Sequence, residues 1–393
     1  MIFDYLIAGC GLSGTTCARL LAEQGRRVLI IDKRNHIGGN VYDCYNEDGI
    51  LIHHYGPHIF HTQFKQVWDF LSRFTRWRLY QHRVLAYVCG RLVPMPINLT
   101  TINLLFNASY TEQTIGDFYK TLKNEAMPIK NARDMVVSKI GERLYDLFFK
   151  GYTKKQWDLY PEDLEPEVTA RIPIRYNRDD RYFSDPYQGI PIGGYTQMVA
   201  GMLDHPLIQV MLNTEYNLIK NEIAAKKTIY TGPIDEYFDY QLGKLPYRSI
   251  EFQFETIDKP NYQPVATVNY PNDYDFTRIT EYKWMTGQVH PRTAIVKEYP
   301  NSEGEPYYPI PRRENRELHG RYETLASKEE NVHFLGRLGR YQYLNMDLAV
   351  KEAMEFTELN KLLFQEKNQC VCPKKNKRHY SHAQQSRNDA ELP

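Results

Sequence analysis

The chain has 393 residues, 42% of them hydrophobic and 25% charged, and its formal net charge is +1 at pH 7. These values are typical of a soluble globular protein with two or three domains, and they exclude binding of nucleic acid or anionic lipid through a strong overall charge. The sequence has no run of about 18 apolar residues, no signal peptide and no disulfide framework among its six cysteines, so we expect a cytoplasmic protein with no membrane insertion.

The first predicted elements form one βαβ unit that opens a parallel sheet. A short apolar run from Asp4 to Ala8 ends at Gly9, and apolar residues then recur at helical spacing from Leu12 to Gln24. A second apolar run, from Arg27 to Ile31, ends at Asp32. This order of strand, glycine turn, helix and strand predicts a Rossmann-like domain.

The turn carries the motif G-x-G-x-x-G at Gly9, Gly11 and Gly14. Gly9 allows the tight turn, Gly11 lets backbone amides approach a pyrophosphate at the helix N-terminus, and Gly14 lets the helix pack on the strand. At the end of the second strand, the Asp32 carboxylate is placed to accept hydrogen bonds from an adenosine ribose. The motif in this setting predicts an ADP-containing cofactor, with Ser13 among its contacts.

The middle of the chain changes from strands to helices. Helical spacing covers Gln63 to Phe74, and alternation of apolar and polar residues predicts strands from Trp77 to Met95. From Asn98 to Lys155 the pattern is mostly helical, most clearly at 114–123 and 134–149. The predicted organisation is a first cofactor-domain segment at 1–75, strands of a sheet domain at 76–97 and an inserted helical domain at 98–160.

The C-terminal half returns to strands. Pro, Gly, Arg and Tyr are frequent between Arg171 and Tyr195, which predicts a loop lining a cleft between domains. Four later runs predict an antiparallel sheet: Thr228 to Tyr230, Arg248 to Thr256, Ala266 to Asn269 and Thr293 to Lys297. We assign 161–325 to a substrate domain with part of the cofactor domain. A strand at 331–335 and a helix near 347–363 predict a closing cofactor-domain segment at 326–364.

The last segment, 365–393, is rich in Lys, Arg, Asn, Gln and Ser, and this composition predicts a disordered tail. It contains four residues of metal-ligand type: Cys370, Cys372, His379 and His382. Their spacing matches no zinc site, so no metal is predicted.

The residues after Asp32 indicate which dinucleotide is bound. Lys33, Arg34 and the turn Gly38-Gly39-Asn40 resemble the glutathione-reductase-like FAD proteins, in which such glycines let the backbone pass close to the flavin-bearing half of the cofactor. The second half of this resemblance is the late strand and glycine at 334–338, which include Arg337. We therefore expect an α/β fold with a discontinuous Rossmann-like FAD-binding domain, an inserted helical domain and an antiparallel β-sheet domain.

Up to about Phe364 the chain resembles the bacterial UDP-galactopyranose mutases. The resemblance rests on long blocks at 33–40, 55–62, 150–157, 171–176, 230–235, 305–309 and 336–338. It implies a flavin-dependent isomerase that interconverts UDP-galactopyranose and UDP-galactofuranose, for galactofuranose in a cell wall or lipopolysaccharide. It also implies a homodimer.

The resemblance assigns roles to particular residues. Guanidinium groups bind phosphate in two-point geometry, and aromatic rings stack on uracil and shape a sugar pocket. The implied catalytic residues are Arg171, Arg278 and His58. The implied substrate-binding residues are Phe148, Tyr152, Trp157, Arg171, Tyr182, Arg248, Arg278, Tyr308 and Tyr343. The implied cofactor-binding residues are Gly9, Gly11, Ser13, Gly14, Asp32, Lys33, Arg34, Gly39, Asn40, His58, Arg337, Asn345 and Met346.

The mechanism that the resemblance implies uses FAD without net oxidation or reduction of the substrate. FAD reduced by NADH or NADPH attacks the anomeric carbon through N5 and displaces UDP, which gives a flavin–sugar adduct. The sugar ring opens and then closes through the hydroxyl on carbon 4 instead of the one on carbon 5. UDP then attacks the anomeric carbon again. The protein holds UDP in place throughout.

One position departs from the family pattern, and three alternatives stay open. The family carries Asp where this chain has Asn345, so a local charge is lost. Mutases of UDP-N-acetylgalactosamine or of a dTDP-deoxysugar would share almost all of the blocks. An FAD amine oxidase would share the N-terminal motif but not the later arginine and tyrosine blocks. A non-catalytic nucleotide-sugar-binding protein would retain UDP binding without turnover.

Overall fold

The computed structural model describes residues 2–123, 128–170 and 173–370, with side chains as far as residue 361. In these residues the strands, numbered in chain order, are β1 (Phe3–Ala8), β2 (Val28–Ile31), β3 (Asp43–Tyr45), β4 (Leu51–His53), β5 (Phe60–Thr62), β6 (Trp77–Leu79), β7 (Val84–Val88), β8 (Arg91–Met95), β9 (Tyr187–Pro191), β10 (Ile208–Met211), β11 (Ala225–Tyr230), β12 (Tyr247–Ile257), β13 (Thr267–Asn269), β14 (Arg278–Glu281), β15 (Thr293–Asn301), β16 (Tyr308–Pro309) and β17 (Val332–Phe334).

The helices of the same residues are α1 (Leu12–Glu23), α2 (Lys65–Leu71), α3 (Leu99–Phe106), α4 (Ile115–Leu122), α5 (Ala132–Tyr145), α6 (Gly151–Trp157), α7 (Glu167–Ala170), α8 (Tyr195–Leu203), α9 (Tyr216–Ile219), α10 (Ile234–Tyr237), α11 (Lys283–Thr286), α12 (Arg313–Ala326), α13 (Gly336–Gly339) and α14 (Met346–Cys370). A π-helical turn, Asp146–Lys150, joins α5 to α6. No helix in the described part of the chain is both long enough and apolar enough to span a bilayer.

A parallel sheet of five strands in the order β10-β2-β1-β11-β17 forms the first layer. Its central strands are apolar and covered on both faces, as parallel strands require, and Ile7 and Ile30 are fully buried. Helices α1, α8 and α14 pack on one face, while Tyr216 of α9 and Tyr237 of α10 pack on the other. This arrangement confirms the predicted α/β fold with a Rossmann-like sheet.

The sheet predicted for residues 228–230 was wrong. We expected this run in an antiparallel sheet, but it belongs to β11, which pairs in parallel with β1 so that Leu6 lies opposite Thr228. A short apolar run does not reveal the direction of its partner strand. The five-stranded sheet is therefore assembled from segments separated by about half of the chain.

A second sheet has seven strands in the order β16-β12-β15-β14-β13-β7-β8. All of its pairs are antiparallel except β13 with β7, so the predicted antiparallel sheet is in fact mixed. The segment 171–195, predicted as a loop, also contains β9, which pairs with β5 and β6 in a small third sheet. Gly189 interrupts the alternation there, and Trp68 and Trp77 occupy the space beside it.

The helical insertion packs on β7 and β8 through a core that includes Tyr119, Leu144 and Tyr145. The single helix predicted at 134–149 is interrupted, because Gly141 has a φ of +76° and the chain then enters the π-helical turn. The final helix also extends beyond its predicted end and includes the first six residues of the expected tail. Those residues are mostly Gln, Glu, Lys and Asn, and Gln, Glu and Lys form helices readily. Cys372, His379 and His382 lie outside the described residues.

Candidate active site

A cleft opens at the carboxyl ends of β1, β2 and β11, the position where doubly wound sheets bind ligands. We call it the glycine cleft, and its empty volume, including the mouth, is about 1350 Å³. It is lined by thirteen predicted cofactor residues: Gly9, Gly11, Ser13, Gly14, Asp32, Lys33, Arg34, Gly39, Asn40, His58, Arg337, Asn345 and Met346. The structure thus brings this whole predicted set together.

Three glycines let backbone segments meet at the floor of the cleft. A Cβ on Gly9 would lie 2.0 Å from Oγ1 of Thr231, and one on Gly14 would lie 2.0 Å from the carbonyl oxygen of Gly9. Gly39 has a φ of +55°, and its Cβ would lie 2.8 Å from Cα of Gly11. A side chain at Gly14 or Gly39 would displace backbone, and one at Gly9 would displace the side chain of Thr231. The bare floor, with the start of α1 beside it, fits the pyrophosphate of a dinucleotide.

Charged side chains surround the end of β2. The Asp32 carboxylate accepts hydrogen bonds from the backbone amides of Cys10, at 2.8 Å, and Arg34, at 2.9 Å. Lys33 and Arg34 each lie 3.3 Å from a carboxylate oxygen of Glu305. Glu305 therefore joins the late block at 305–309 to the first βαβ unit. Arg34 also donates to the side-chain oxygen of Asn40 at 3.0 Å.

His58 lies in the glycine cleft as a neutral imidazole. Burial, reinforced by the neighbouring His53 ring, lowers its pKa from 6.5 to about 3. Its Nδ1 is 2.8 Å from the carbonyl oxygen of Gly56, and its backbone amide donates to Nδ1 of His53 at 3.0 Å. A neutral ring held in this way can shape the cleft or donate a hydrogen bond, but it cannot act as a cation at neutral pH.

A second opening, which we call the tyrosine cavity, has an empty volume of about 890 Å³, including its mouth. Seven predicted substrate residues line it: Phe148, Tyr152, Trp157, Tyr182, Arg278, Tyr308 and Tyr343. Arg248 does not. Its buried guanidinium donates to the carbonyl oxygens of Gln156 at 3.0 Å and Lys155 at 3.4 Å, at the end of α6. Arg171 lies outside the described residues.

Among the residues that the structure describes, Arg278 is the arginine that lines the tyrosine cavity. It stands on β14 directly opposite Glu298 on β15, and its Nε is 2.7 Å from Oε1 of that carboxylate. Burial alone would lower the pKa of Arg278, but the Glu298 carboxylate raises it well above its usual value. The guanidinium is therefore a permanent positive charge, and its side chain is 27% exposed.

Arg337 forms a wall between the two openings. Its guanidinium carbon lies 5.2 Å from the ring centres of both Tyr308 and Tyr343, which stack on each other at 5.3 Å. The guanidinium also donates to the carbonyl oxygens of Leu344 and Tyr307. Because Arg337 lines the glycine cleft and the two tyrosines line the cavity, the openings share this wall. The two openings are therefore adjacent.

Several lining residues were not predicted. Residues 214–217 and 231–233 line the glycine cleft, and Thr153, Gln156, Val168, Thr169, Asn269 and Pro271 line the tyrosine cavity. The block at 230–235 was noticed in the sequence but received no role. Thr153 and Gln156 likewise lie in the block at 150–157 but received no role. The remaining residues lie in none of the blocks, so only the folded chain places them here. Among the described residues, no group of three or more Asp, Glu, His or Cys side chains could hold a metal ion.

Comparison with known proteins gives consistent results. Residues 147–343 match the model of the UDP-galactopyranose mutase family, and residues 7–74 match an NAD(P)-binding Rossmann-like domain. A probable UDP-galactopyranose mutase of Klebsiella pneumoniae is 39% identical, covering 90% of this chain and 93% of the relative. A dTDP-fucopyranose mutase of Escherichia coli is 37% identical, covering 90% and 97%. The crystal structure of a reduced UDP-galactopyranose mutase superposes with a TM-score of 0.76 at 17% identity, covering 92% of this chain and 96% of the other.

Proposed function

Because this chain belongs to the UDP-galactopyranose mutase family and is an isomerase, we propose that it interconverts UDP-galactopyranose and UDP-galactofuranose with FAD in the glycine cleft. The observation that carries the proposal is the shared wall of Arg337, Tyr308 and Tyr343. A mutase of this kind needs its cofactor beside the sugar, and this wall makes the cofactor cleft and the nucleotide-sugar cavity neighbours.

FAD fits the residues of the glycine cleft. The glycine floor accommodates a pyrophosphate, and the Asp32 carboxylate at the end of β2 suits the hydroxyls of an adenosine ribose. Once bound and reduced, FAD supplies a nucleophilic N5 nitrogen able to displace UDP from the anomeric carbon of the sugar. The protein's own contribution is to hold the leaving group close and to stabilise its charge.

The tyrosine cavity supplies groups for that contribution. Arg278 offers a permanent cation for the diphosphate. Burial raises the pKa of Tyr152 to about 12 and raises the pKa of Tyr308 as well, so both hydroxyls keep their protons and can donate hydrogen bonds to phosphate oxygens. Phe148 and Trp157 add apolar surface against a base or a sugar. Arg171 remains a proposed second cation for the diphosphate.

A second candidate function has a specific observation in its favour. The dTDP-fucopyranose mutase is nearly as similar to this chain as the probable UDP-galactopyranose mutase, at 37% against 39% identity. A dTDP-deoxysugar is therefore the main alternative substrate, and UDP-N-acetylgalactosamine is a further one. An amine oxidase would account for the match at 7–74 but not for the match at 147–343.

The test is a direct comparison of substrates. The purified protein, reduced with dithionite, is incubated separately with UDP-galactofuranose, dTDP-fucofuranose and UDP-N-acetylgalactofuranose, and the pyranose products are separated by chromatography. We expect the highest kcat/KM with UDP-galactofuranose. A higher value with the dTDP sugar would reassign the substrate, and UDP binding without any product would indicate a non-catalytic relative. In a separate incubation without dithionite, consumption of oxygen for each substrate molecule converted would indicate an oxidase.

Three further properties belong to the same proposal. We expect NADH or NADPH to replace dithionite as reductant, the protein to be a homodimer and the enzyme to act in the cytoplasm, where nucleotide sugars are made. Anaerobic bleaching of the flavin by each nicotinamide tests the first expectation. Light scattering during size-exclusion chromatography tests the second, and cell fractionation tests the third.

A further inference from the structure

Glu298 is a buried carboxylate behind the wall of the tyrosine cavity. It lies on β15, its side chain is 0% exposed, and it stands opposite Arg278 on one side and Phe252 on the other. Gly56, two residues before His58, lies against it, since a Cβ on that glycine would be 3.7 Å from Oε1. Glu298 is therefore placed between the segment that carries His58 and the arginine of the tyrosine cavity.

The hydrogen bonds of Glu298 differ from those of the other buried glutamate in this sheet. Glu281 accepts hydrogen bonds from the backbone amides of Tyr262 and Gln263, the hydroxyl of Thr293 and the indole of Trp284. Within the described part of the chain, neither carboxylate oxygen of Glu298 has an aligned hydrogen-bond donor. Its one close charged partner there is Nε of Arg278, at 2.7 Å.

Stability does not explain this arrangement. A buried ion pair recovers little more than the cost of removing its charges from water, and apolar residues of similar volume often serve a fold equally well. A buried carboxylate whose one close polar partner among the described residues is an arginine on the next strand is a costly way to hold two strands that already pair along their backbones. Buried charge next to a ligand cavity is instead typical of functional sites.

Resting on the function proposed above, we infer that Glu298 is a positioning residue for that reaction. Its ion pair with Nε holds the guanidinium of Arg278 against the cavity wall. The two terminal nitrogens of Arg278 are then free to face the diphosphate of the nucleotide sugar. A guanidinium held in this way loses less freedom when it binds phosphate than one that must be oriented in each turnover.

Two substitutions separate the charge of Glu298 from its placement. Glu298→Gln keeps the shape and removes the charge, whereas Glu298→Asp keeps the charge and shortens the side chain by one methylene. If placement matters, kcat of the reduced enzyme falls at least tenfold in both variants. In Glu298→Asp the Kd for UDP also rises at least threefold, because Arg278 is drawn away from the cavity.

The matched control is Glu281→Gln, which changes a carboxylate that is equally buried in the same sheet but hydrogen-bonded to structural groups. This variant should lower Tm while leaving kcat, per bound FAD, within threefold of the wild-type value. FAD content and Tm are measured for every variant, so a loss of folded protein is not counted as a loss of turnover.

The remaining outcomes would contradict either the positioning role of Glu298 or the proposed mutase function. Wild-type kinetics in Glu298→Gln, or full activity in Glu298→Asp alone, would overturn the positioning role. If the wild-type protein binds UDP but does not turn over, the proposed function is wrong, and the UDP affinity of Glu298→Asp decides the inference. If the wild-type protein does not bind UDP, both fail.

Discussion

Three histidines with lowered pKa values should make the folded protein sensitive to acid. Burial lowers the pKa values of His53, His58 and His82 to about 3, far below the ordinary value of 6.5. Since the unfolded chain binds these protons and the folded chain does not, their contribution to stability is complete above pH 6.5 and is lost as the pH falls towards 3. Each imidazole contributes a slope of up to about 1.4 kcal/mol per pH unit. Urea unfolding at a series of pH values measures how the free energy of unfolding changes with pH.

His82 offers a way to check that assignment. It is 4% exposed, and its Nδ1 is 3.3 Å from the hydroxyl of Tyr80. In His82→Phe, the number of protons taken up on unfolding at pH 5 should fall by about one, whatever the change in total stability. An unchanged pH slope in this variant would show that His82 is protonated in the folded state.

Asn345 should affect the cofactor more than the substrate. It lines the glycine cleft and is not among the residues that line the tyrosine cavity. Asn345→Asp adds a negative charge to the cleft proposed for FAD, so we expect a more negative reduction potential of bound FAD, because the reduced cofactor is the more anionic form. The ratio of kcat/KM between UDP-galactose and dTDP-fucose should change by less than tenfold, or about 1.4 kcal/mol. Redox titration and competition assays measure the two effects.

At the scale of single residues, the resemblance predicted more than patterns in the sequence could. Tyr308 and Tyr343 look like ordinary half-buried tyrosines in the sequence, and they were assigned to the site because they resemble tyrosines of the family. Arg248 was predicted by the same route, yet it binds the end of α6. Residues 214–217 were missed because they reach the glycine cleft only through the pairing of β10 with β2.

At the scale of elements, the turn that contains Gly39 should tolerate no side chain. In Gly39→Ala the new Cβ would meet the backbone of Gly11 at 2.8 Å, so the floor of the glycine cleft would open. We expect protein that is largely free of FAD, measured by the ratio of absorbance at 450 nm to that at 280 nm. Gly49→Ala is the control, because its φ of +76° is equally strained but no atom lies within 4 Å of the added Cβ. It should lose about 1 kcal/mol of stability and keep its FAD.

Elements with a regular period were predicted well. The first βαβ unit agrees with β1, α1 and β2 to within a residue or two at each end, since its apolar runs and glycines are unambiguous. Which strands pair with each other was less predictable from the sequence. The position of β11 in the parallel sheet and the pairing of β9 in the small sheet depend on contacts between distant segments.

For the whole molecule, the proposed function makes the redox state of the cofactor the decisive property. We expect oxidised enzyme to be inactive and enzyme reduced by dithionite to turn over without consuming reductant in each cycle. Replacing FAD with an analogue that has carbon at position 5 keeps the shape of the ring but removes the nucleophilic nitrogen. That enzyme should bind UDP-galactose and fail to isomerise it. Turnover by the analogue would contradict a nucleophilic role for N5.

The wide spacing of the cofactor segments also governs when the protein becomes complete during synthesis. The glycine cleft needs β11 from the middle of the chain and the residues at 336–349 near its end. A ribosome-bound chain that stops before residue 336 lacks part of the cleft wall, whatever its N-terminal unit has already formed. We therefore expect the flavin to be loaded only after the segment up to about residue 349 has been synthesised, so a product terminated before residue 336 would be released colourless.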